Sequence, residues 1–277
     1  MRRLVHISDV HFGTADLRIA RAAVEKINAL SPDVVVCSGD LTQRAKSVEF
    51  KAAREFLDAL PTPQIVIPGN HDVPLWNVFD RFFRPLAKYK KFISRDLSPE
   101  HIDEEIAIVG VNTARSSTIK GGRINEEQIA EIREKLCSLD DQILKIVVTH
   151  HPFDLPEGAN EEDIVGRAEK AMRLIAECGG DVFLAGHLHV SNIDSTAKRY
   201  RLDDGHLALI IQAGTATSVR VRGEVNSFNL IEWERPVLRV ERLEYDDAKA
   251  GFFEAEHKHY SRGPDGWKKS ENERYTK

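Results

Sequence analysis

Apolar residues fall along this chain in short continuous runs, separated by stretches of helical periodicity. Residues 4–8, 34–37 and 65–67 read as buried strands, the last ending at Pro68-Gly69. Between them, residues 15–30 and 47–60 repeat apolar positions at helical spacing, and Pro61 closes the second. Strand, helix, strand, helix, strand in the first 67 residues predicts a mostly parallel sheet. The logic continues less regularly, with strands expected over 106–111, 143–149 and 181–185 and helices over 126–139 and 164–178. Residues 207–211, 226–233 and 237–243 are then apolar runs without helices between them, which predicts an antiparallel second sheet. The expected fold class is α/β: a four-layer α/β/β/α sandwich, two mixed sheets packed face to face with flanking helices.

Two segments depart from this pattern. Residues 76–96 mix six basic side chains with five Phe or Tyr rings and follow a polar Gly-Asn-His-Asp run directly. An amphipathic helix with its aromatics in the core and its lysines in water is the favoured reading, with substrate binding as the alternative. Residues 246–277 are polar, charge-balanced and aromatic-bearing, and are expected as a partly ordered tail. No repeat or low-complexity linker divides residues 1–245, which are taken as one domain.

Composition narrows the classes. Of 277 residues, 42% are hydrophobic and 30% charged, an ordinary globular balance that excludes disorder and disulfide scaffolds. The net charge of −5 disfavours non-specific nucleic-acid binding. Cys37, Cys137 and Cys178 form no CxxC pair and are expected as free thiols in a reducing compartment. No apolar run has signal-peptide or membrane-spanning length, so a cytoplasmic protein is expected, with peripheral membrane attachment left open.

The chemistry lies at the strand ends. The first predicted strand runs into Asp9-Val10-His11, the second into Gly39-Asp40 and the third into Gly69-Asn70-His71-Asp72. Later strands run into His150-His151 and into Gly186-His187-Leu188-His189. Six of eleven histidines therefore sit at one edge of the expected sheets, where open α/β sheets bind ligands. Residues i and i+2 of an extended chain face the same way, so Asp9 with His11 and His187 with His189 can each present a ligand pair. Four imidazoles, two carboxylates and a carboxamide, with no thiolate, suit Mn, Fe or Zn, and seven ligands suit two ions sharing a carboxylate.

The ordered set D-x-H, G-D, G-N-H-D, H and G-H-x-H resembles the calcineurin-like metallophosphoesterases, and most of all bacterial class III cyclic nucleotide phosphodiesterases. The resemblance implies one metal held by Asp9, His11 and His189, a second held by Asn70, His150 and His187, and Asp40 bridging them. It implies that His71 contacts phosphate and serves the departing oxygen, and that Asp72 orients His71. Hydrolysis of a small phosphodiester such as a cyclic nucleotide follows, by attack of a shared water held between two cations. A DNA repair nuclease and a lipid-linked pyrophosphatase or phosphomonoesterase are the alternatives, and a non-catalytic scaffold is disfavoured because no motif residue is missing. His151 is read evenly as a partner of the ligands or a wall of the cleft, and Arg44 as a solvated loop residue. The acidic run 157–163 is expected to repel a long polyanion; His6, His101, His206, His257 and His259 are given structural or surface roles. The oligomeric state is open, a homodimer among the options.

Overall fold

The computed structural model describes residues 1–118, 120–155, 160–195, 208–219, 224–263 and 266–270. In chain order its elements begin with β1 (Arg2–Ile7), α1 (Leu17–Leu30), β2 (Val34–Cys37), α2 (Ser47–Asp58), β3 (Gln64–Val66) and a 3₁₀ turn over Asn70–Asp72. There follow α3 (Val78–Phe83), α4 (Ala87–Phe92), β4 (Glu100–Ile102), β5 (Ile106–Val111), α5 (Glu126–Cys137), β6 (Leu144–Thr149), α6 (Ala168–Ala176) and β7 (Val182–Ala185). The chain ends in strands β8 (Asn192–Ser195), β9 (Leu209–Gln212), β10 (Ser227–Glu234), β11 (Val237–Asp246), β12 (Gly251–Gly263) and β13 (Gly266–Lys269).

These strands make two mixed sheets, in the orders β13-β12-β11-β10-β1-β2-β3 and β4-β5-β6-β7-β9-β8. Alternation along each strand explains the layers. Leu4, Val34, Val36, Ile146 and Val148 point into one cluster shared by both sheets, whereas Val5, Val35 and Cys37 pack outward with α1 and α2. Val147 and Phe183 pack outward with α5 and α6 on the far side. Helix, sheet, sheet, helix is therefore the observed order of layers, as expected. Asp16 starts α1 by accepting from the Arg18 amide, and Ile19, Ala20, Ala23 and Ile27 form its buried stripe.

Four expectations are corrected. The runs near 207–211, 226–233 and 237–243 do not form a separate antiparallel sheet: β9 pairs parallel with β7, while β10 and β11 extend the first sheet antiparallel to β1. Residue 207 itself lies outside the described residues. Within the expected tail, β12 and β13 continue that same sheet, with Phe252, Tyr260 and Trp267 buried. The Trp267 ring lies 5.8 Å from that of Trp233, and its Nε1–H donates to the Asp181 carbonyl at 3.0 Å. Residues 271–277 are outside the described residues. Cys137 and Cys178 are bonded to each other across a separation of 41, because α5 and α6 pack side by side; Cys37 is free and buried.

The fourth correction concerns residues 76–96, which form two short helices instead of one because Pro85 interrupts them. Tyr89 is buried, its hydroxyl donating to the Val66 carbonyl at 2.8 Å, and Phe92 stacks on Phe50. The other aromatic side chains of the segment stay outside the core: Trp76, Phe79, Phe82 and Phe83 are exposed. No helix among the described residues is long and apolar enough to cross a membrane.

Candidate metal centre

Both sheets deliver side chains to one place. Asp9 and His11 follow β1, Asp40 follows β2, and Asn70 and His71 lie in the 3₁₀ turn after β3. His150 and His151 follow β6 of the other sheet, and His187 and His189 follow β7. The backbone must turn sharply to bring these ends together. Asp9, His11, Asp40, His187 and His189 all adopt positive φ, between 45° and 74°. Gly39, at φ +100°, lies so close to the neighbouring loop that a Cβ there would meet the Gly69 amide and His150 Nδ1 at 2.8 Å.

The inward-facing atoms form two overlapping groups. His11 Nε2 lies 3.5 Å from Asp9 Oδ1 and 3.3 Å from His189 Nε2, and His189 Nε2 lies 3.4 Å from the same carboxylate oxygen. Asn70 Oδ1 lies 3.0 Å from His150 Nε2 and 3.1 Å from His187 Nδ1. Asp40 Oδ2 stands between the groups, 3.7 Å from His11 Nε2 and 3.4 Å from His150 Nε2. All seven residues expected as ligands are thus brought together.

The outer ring atoms set the tautomers. His150 Nδ1 donates to the Ser38 carbonyl at 2.8 Å, and His11 Nδ1 faces the Thr42 carbonyl at 3.4 Å. His189 Nδ1 pairs with the Thr215 hydroxyl at 2.7 Å, and His187 Nε2 lies 3.4 Å from an Asp163 carboxylate oxygen. A carbonyl only accepts, so in His150 and His11 a proton sits outward; the Asp163 carboxylate can accept from His187 likewise, and the Thr215 hydroxyl can either accept from His189 or donate to it. Thr215 and Asp163 escaped the sequence reading. A signal for Thr215 existed, since β9 is a sixth apolar strand running into Ala213-Gly214-Thr215 at the same edge. Asp163 carried none beyond its place in an acidic run, of which residues 157–159 lie outside the described residues.

Three neighbours of the motif sort differently. His151 is buried with Nδ1 on the Thr113 hydroxyl and Nε2 on the Lys120 carbonyl, both at 2.8 Å. Both nitrogens are engaged, so it is a wall residue despite lying near His150 and His187. His71 is half-buried; its amide donates to Asp40 Oδ1 at 2.8 Å and its Nδ1 to the Gln43 carbonyl at 3.0 Å. The expectation that Asp72 orients the His71 ring is therefore corrected, because Gln43 does so. Asp72 is buried and accepts from the amides of Leu41, Thr42 and Gly69 and from the Thr42 hydroxyl, bracing the loops that carry Asp40 and Asn70. Arg44 is exposed, as expected. His6, also structural as expected, is buried with Nε2 2.9 Å from the Ser38 hydroxyl, and His206 lies outside the described residues.

Charge at the centre is unbalanced in a telling way. Burial raises the Asp9 carboxyl, but His189, His11 and His150 outweigh it and hold it well below the usual range. Burial likewise opposes ionisation of Asp40, and His150, His71 and His11 overcome it. Burial would depress His150, yet Asp40 pulls it up to about 9. In Asp72, burial and the nearby Asp40 charge raise the carboxyl to about 6. The site thus favours positive charge between two anions. Asp9 Oδ1 is buried with no hydrogen-bond partner among the described residues, and inward lone pairs face one another at 3.0–3.7 Å. A cation fits this donor set, and without one the anionic oxygens draw a proton onto His150 instead.

Residues 2–191 match the family model described as calcineurin-like phosphoesterase. The chain belongs to that family. Membership implies divalent metal ions, in keeping with the donor set. Among curated relatives of this chain, the glycerophosphodiester phosphodiesterase GpdQ of Enterobacter lignolyticus is 29% identical over 184 residues, covering 62% of this chain. The chain spans 64% of that relative's length. The 3',5'-cyclic adenosine monophosphate phosphodiesterase CpdA of Escherichia coli K12 is 24% identical over 201 residues, covering 72% of this chain and 66% of its own. The fold resembles the purple acid phosphatase PPD1 of yellow lupin, with a TM-score of 0.67 at 14% identity over 92% of this chain and 53% of that one. A dimetal phosphatase from Danio rerio has a TM-score of 0.63 at 14% identity, over 87% of this chain and 95% of its own.

Proposed function

We propose that this calcineurin-like phosphoesterase is a dinuclear-metal phosphodiesterase acting on small phosphodiesters. Asp9, His11 and His189 would hold one ion, Asn70, His150 and His187 the other, and Asp40 would bridge them. The observation that carries this reading is the position of Asp40 Oδ2, within 3.7 Å of a ring nitrogen from each group. Bound divalent cations, with Mn, Fe or Zn suited to the nitrogen and oxygen donors, supply water activation and positive charge for the phosphoryl oxygens.

The chain's own residues do the rest. Asp9 and Asp40 stay ionised at neutral pH and keep the cradle anionic. Ser38, Thr42, Thr215 and Asp163 hold the four imidazoles with their lone pairs inward. His71, fixed by the Gln43 carbonyl through Nδ1, presents its ring to the phosphate and assists the departing oxygen through Nε2. The names of the relatives support two substrate classes, glycerophosphodiesters and cyclic mononucleotides.

A panel with metal analysis tests the reading. Purified protein loaded with Mn²⁺ is offered a glycerophosphodiester, a cyclic mononucleotide, an aryl phosphodiester, its monoester, and single- and double-stranded DNA. Cleavage of small diesters with two metal equivalents per chain is expected. Rapid monoester turnover with inert diesters, or a single equivalent, overturns it.

A further inference from the structure

α3 is built inside out. Its one buried side chain is Arg81, whose guanidinium donates to the carbonyls of Pro74, at 3.1 Å, and Thr118. That anchor holds the opposite face outward. Trp76 is 78% exposed, Val78 66%, Phe79 57%, Phe82 57% and Phe83 74%. Five large apolar side chains exposed within eight residues exceed the scattered apolar exposure of an ordinary surface.

Cations surround this patch and touch it. The Arg84 guanidinium lies 5.3 Å from the centre of the Phe79 ring, and that of Arg44 6.0 Å from Trp76. Phe83, Arg84 and Lys90 together border a cavity of about 490 Å³, floored by Val73, Leu86 and Leu97. Lys91 and Arg95, in the same segment, are exposed. Of the six basic residues in 76–96, Arg81 is buried and Lys88 donates to the Ala45 carbonyl; against the other four the segment holds two acids, in a chain whose total is −5. Asp80 is bonded to Asn77 and lies 3.8 Å from Arg84, and Asp96 accepts from the Ser98 amide.

We propose that this face docks on an anionic lipid bilayer, with Trp76, Phe79, Phe82 and Phe83 entering the boundary between headgroups and acyl chains. Charge selects the occupant. A second copy meeting the patch about a two-fold axis would set Arg84, Lys90 and Lys91 against themselves, whereas lipid phosphates neutralise them. Aromatic rings projecting between cations are the arrangement that binds such an interface, and the apolar floor of the cavity below a cationic rim accepts part of a lipid. The patch also adjoins the candidate centre. Trp76 lies five residues after His71, and Arg44, stacked over it, follows the Gln43 that holds the His71 ring. Docking therefore sets the mouth of the site toward the bilayer. The inference does not depend on the proposed reaction.

The test uses the full chain and two kinds of vesicle, phosphatidylcholine alone and an equal mixture with phosphatidylglycerol. The protein should sediment with the mixed vesicles only and be released by salt. Trp233 and Trp267 are buried, so a blue shift in tryptophan emission on the mixed vesicles reports Trp76. The triple variant Phe79→Ser, Phe82→Ser, Phe83→Ser and, independently, the double variant Lys90→Glu, Lys91→Glu should each lose binding by about tenfold or more while melting as the parent does. Parent protein that stays in the supernatant with unshifted emission overturns the proposal. So does sedimentation velocity showing a dimer that the triple variant dissociates, or retention on an acidic protein matrix without retention on the vesicles.

Discussion

A carboxylate oxygen of Asp163 lies 3.4 Å from Nε2 of His187, on the side of the ring away from Asn70. The pair keeps the His187 proton outward and the Nδ1 lone pair inward, which is the arrangement a metal-binding imidazole needs. Asp163→Ala should weaken occupancy of the site formed with Asn70 and His150 by about tenfold or more. Titration calorimetry with Mn²⁺ on apoprotein reads this directly. Equal affinities in parent and variant would show that Asp163 merely neighbours the ring.

Asp40 and His71 separate metal holding from turnover. Asp40→Ala removes a carboxylate oxygen within 3.7 Å of a ring nitrogen from each group and should lower total metal content, together with the melting-temperature gain that metal gives the parent. His71→Ala leaves the clustered ring nitrogens in place and should keep its metal while turnover drops by about a hundredfold or more. Metal loss from the His71 variant in proportion to its activity would contradict the separation.

Close approach of two loops makes Gly69 irreplaceable. A Cβ there would meet Asp40 Oδ1 at 2.2 Å and the Asp40 amide at 2.4 Å, and backbone cannot swing aside as a side-chain tip can. Gly69→Ala should destabilise the fold by about 1–3 kcal/mol, as overpacking does, and reduce metal binding with it. A parent-like melting curve with full metal content would count against this geometry.

His6 should make stability fall in mild acid. Burial depresses it from 6.5 to about 3, so below pH 6.5 the unfolded chain takes up a proton that the folded chain refuses. At His6 the native state then binds fewer protons, so the contribution of His6 to stability must decrease as pH drops from 6.5 toward 3, against the opposite contribution of Asp72 and Asp181, raised to about 6 and about 7. In His6→Gln, the urea midpoint relative to that of the parent should rise as pH falls across that window. An imidazole NMR titration that finds His6 protonating near 6.5 in the folded protein would remove the premise.

Much of the centre was legible because each proposed ligand sits a fixed, short distance beyond an apolar strand. Asp9 and His11 after β1, or His187 and His189 after β7, are local facts of sequence. Partnership between distant strands is another matter. The alternation in β10 shows which side chains face inward, yet nothing in it tells that Trp233 pairs with Arg2 and not with β9. The same limit hid β12 and β13, whose polar side chains suit a sheet edge as well as a tail, and the Cys137–Cys178 bond between neighbouring helices. Asp163 and Thr215 were missed because their partners are rings that only the folded chain brings near. Residues 76–96 misled for a different reason. Their composition matches an amphipathic helix, but Arg81 took the inside position and its aromatic neighbours were left outside.

Left-handed backbone at Asp9, His11, Asp40, His187 and His189 has a meaning for how such a chain can change over time. An ordinary L-residue gives up about 1–2 kcal/mol in that conformation, less for Asp, whereas Gly and Asn tolerate it. Each of these positions would therefore hold a tougher protein if it carried the wrong residue for chemistry. Selection for stability alone would erase the centre one residue at a time, so at these five positions the proposed chemistry and durability pull in opposite directions.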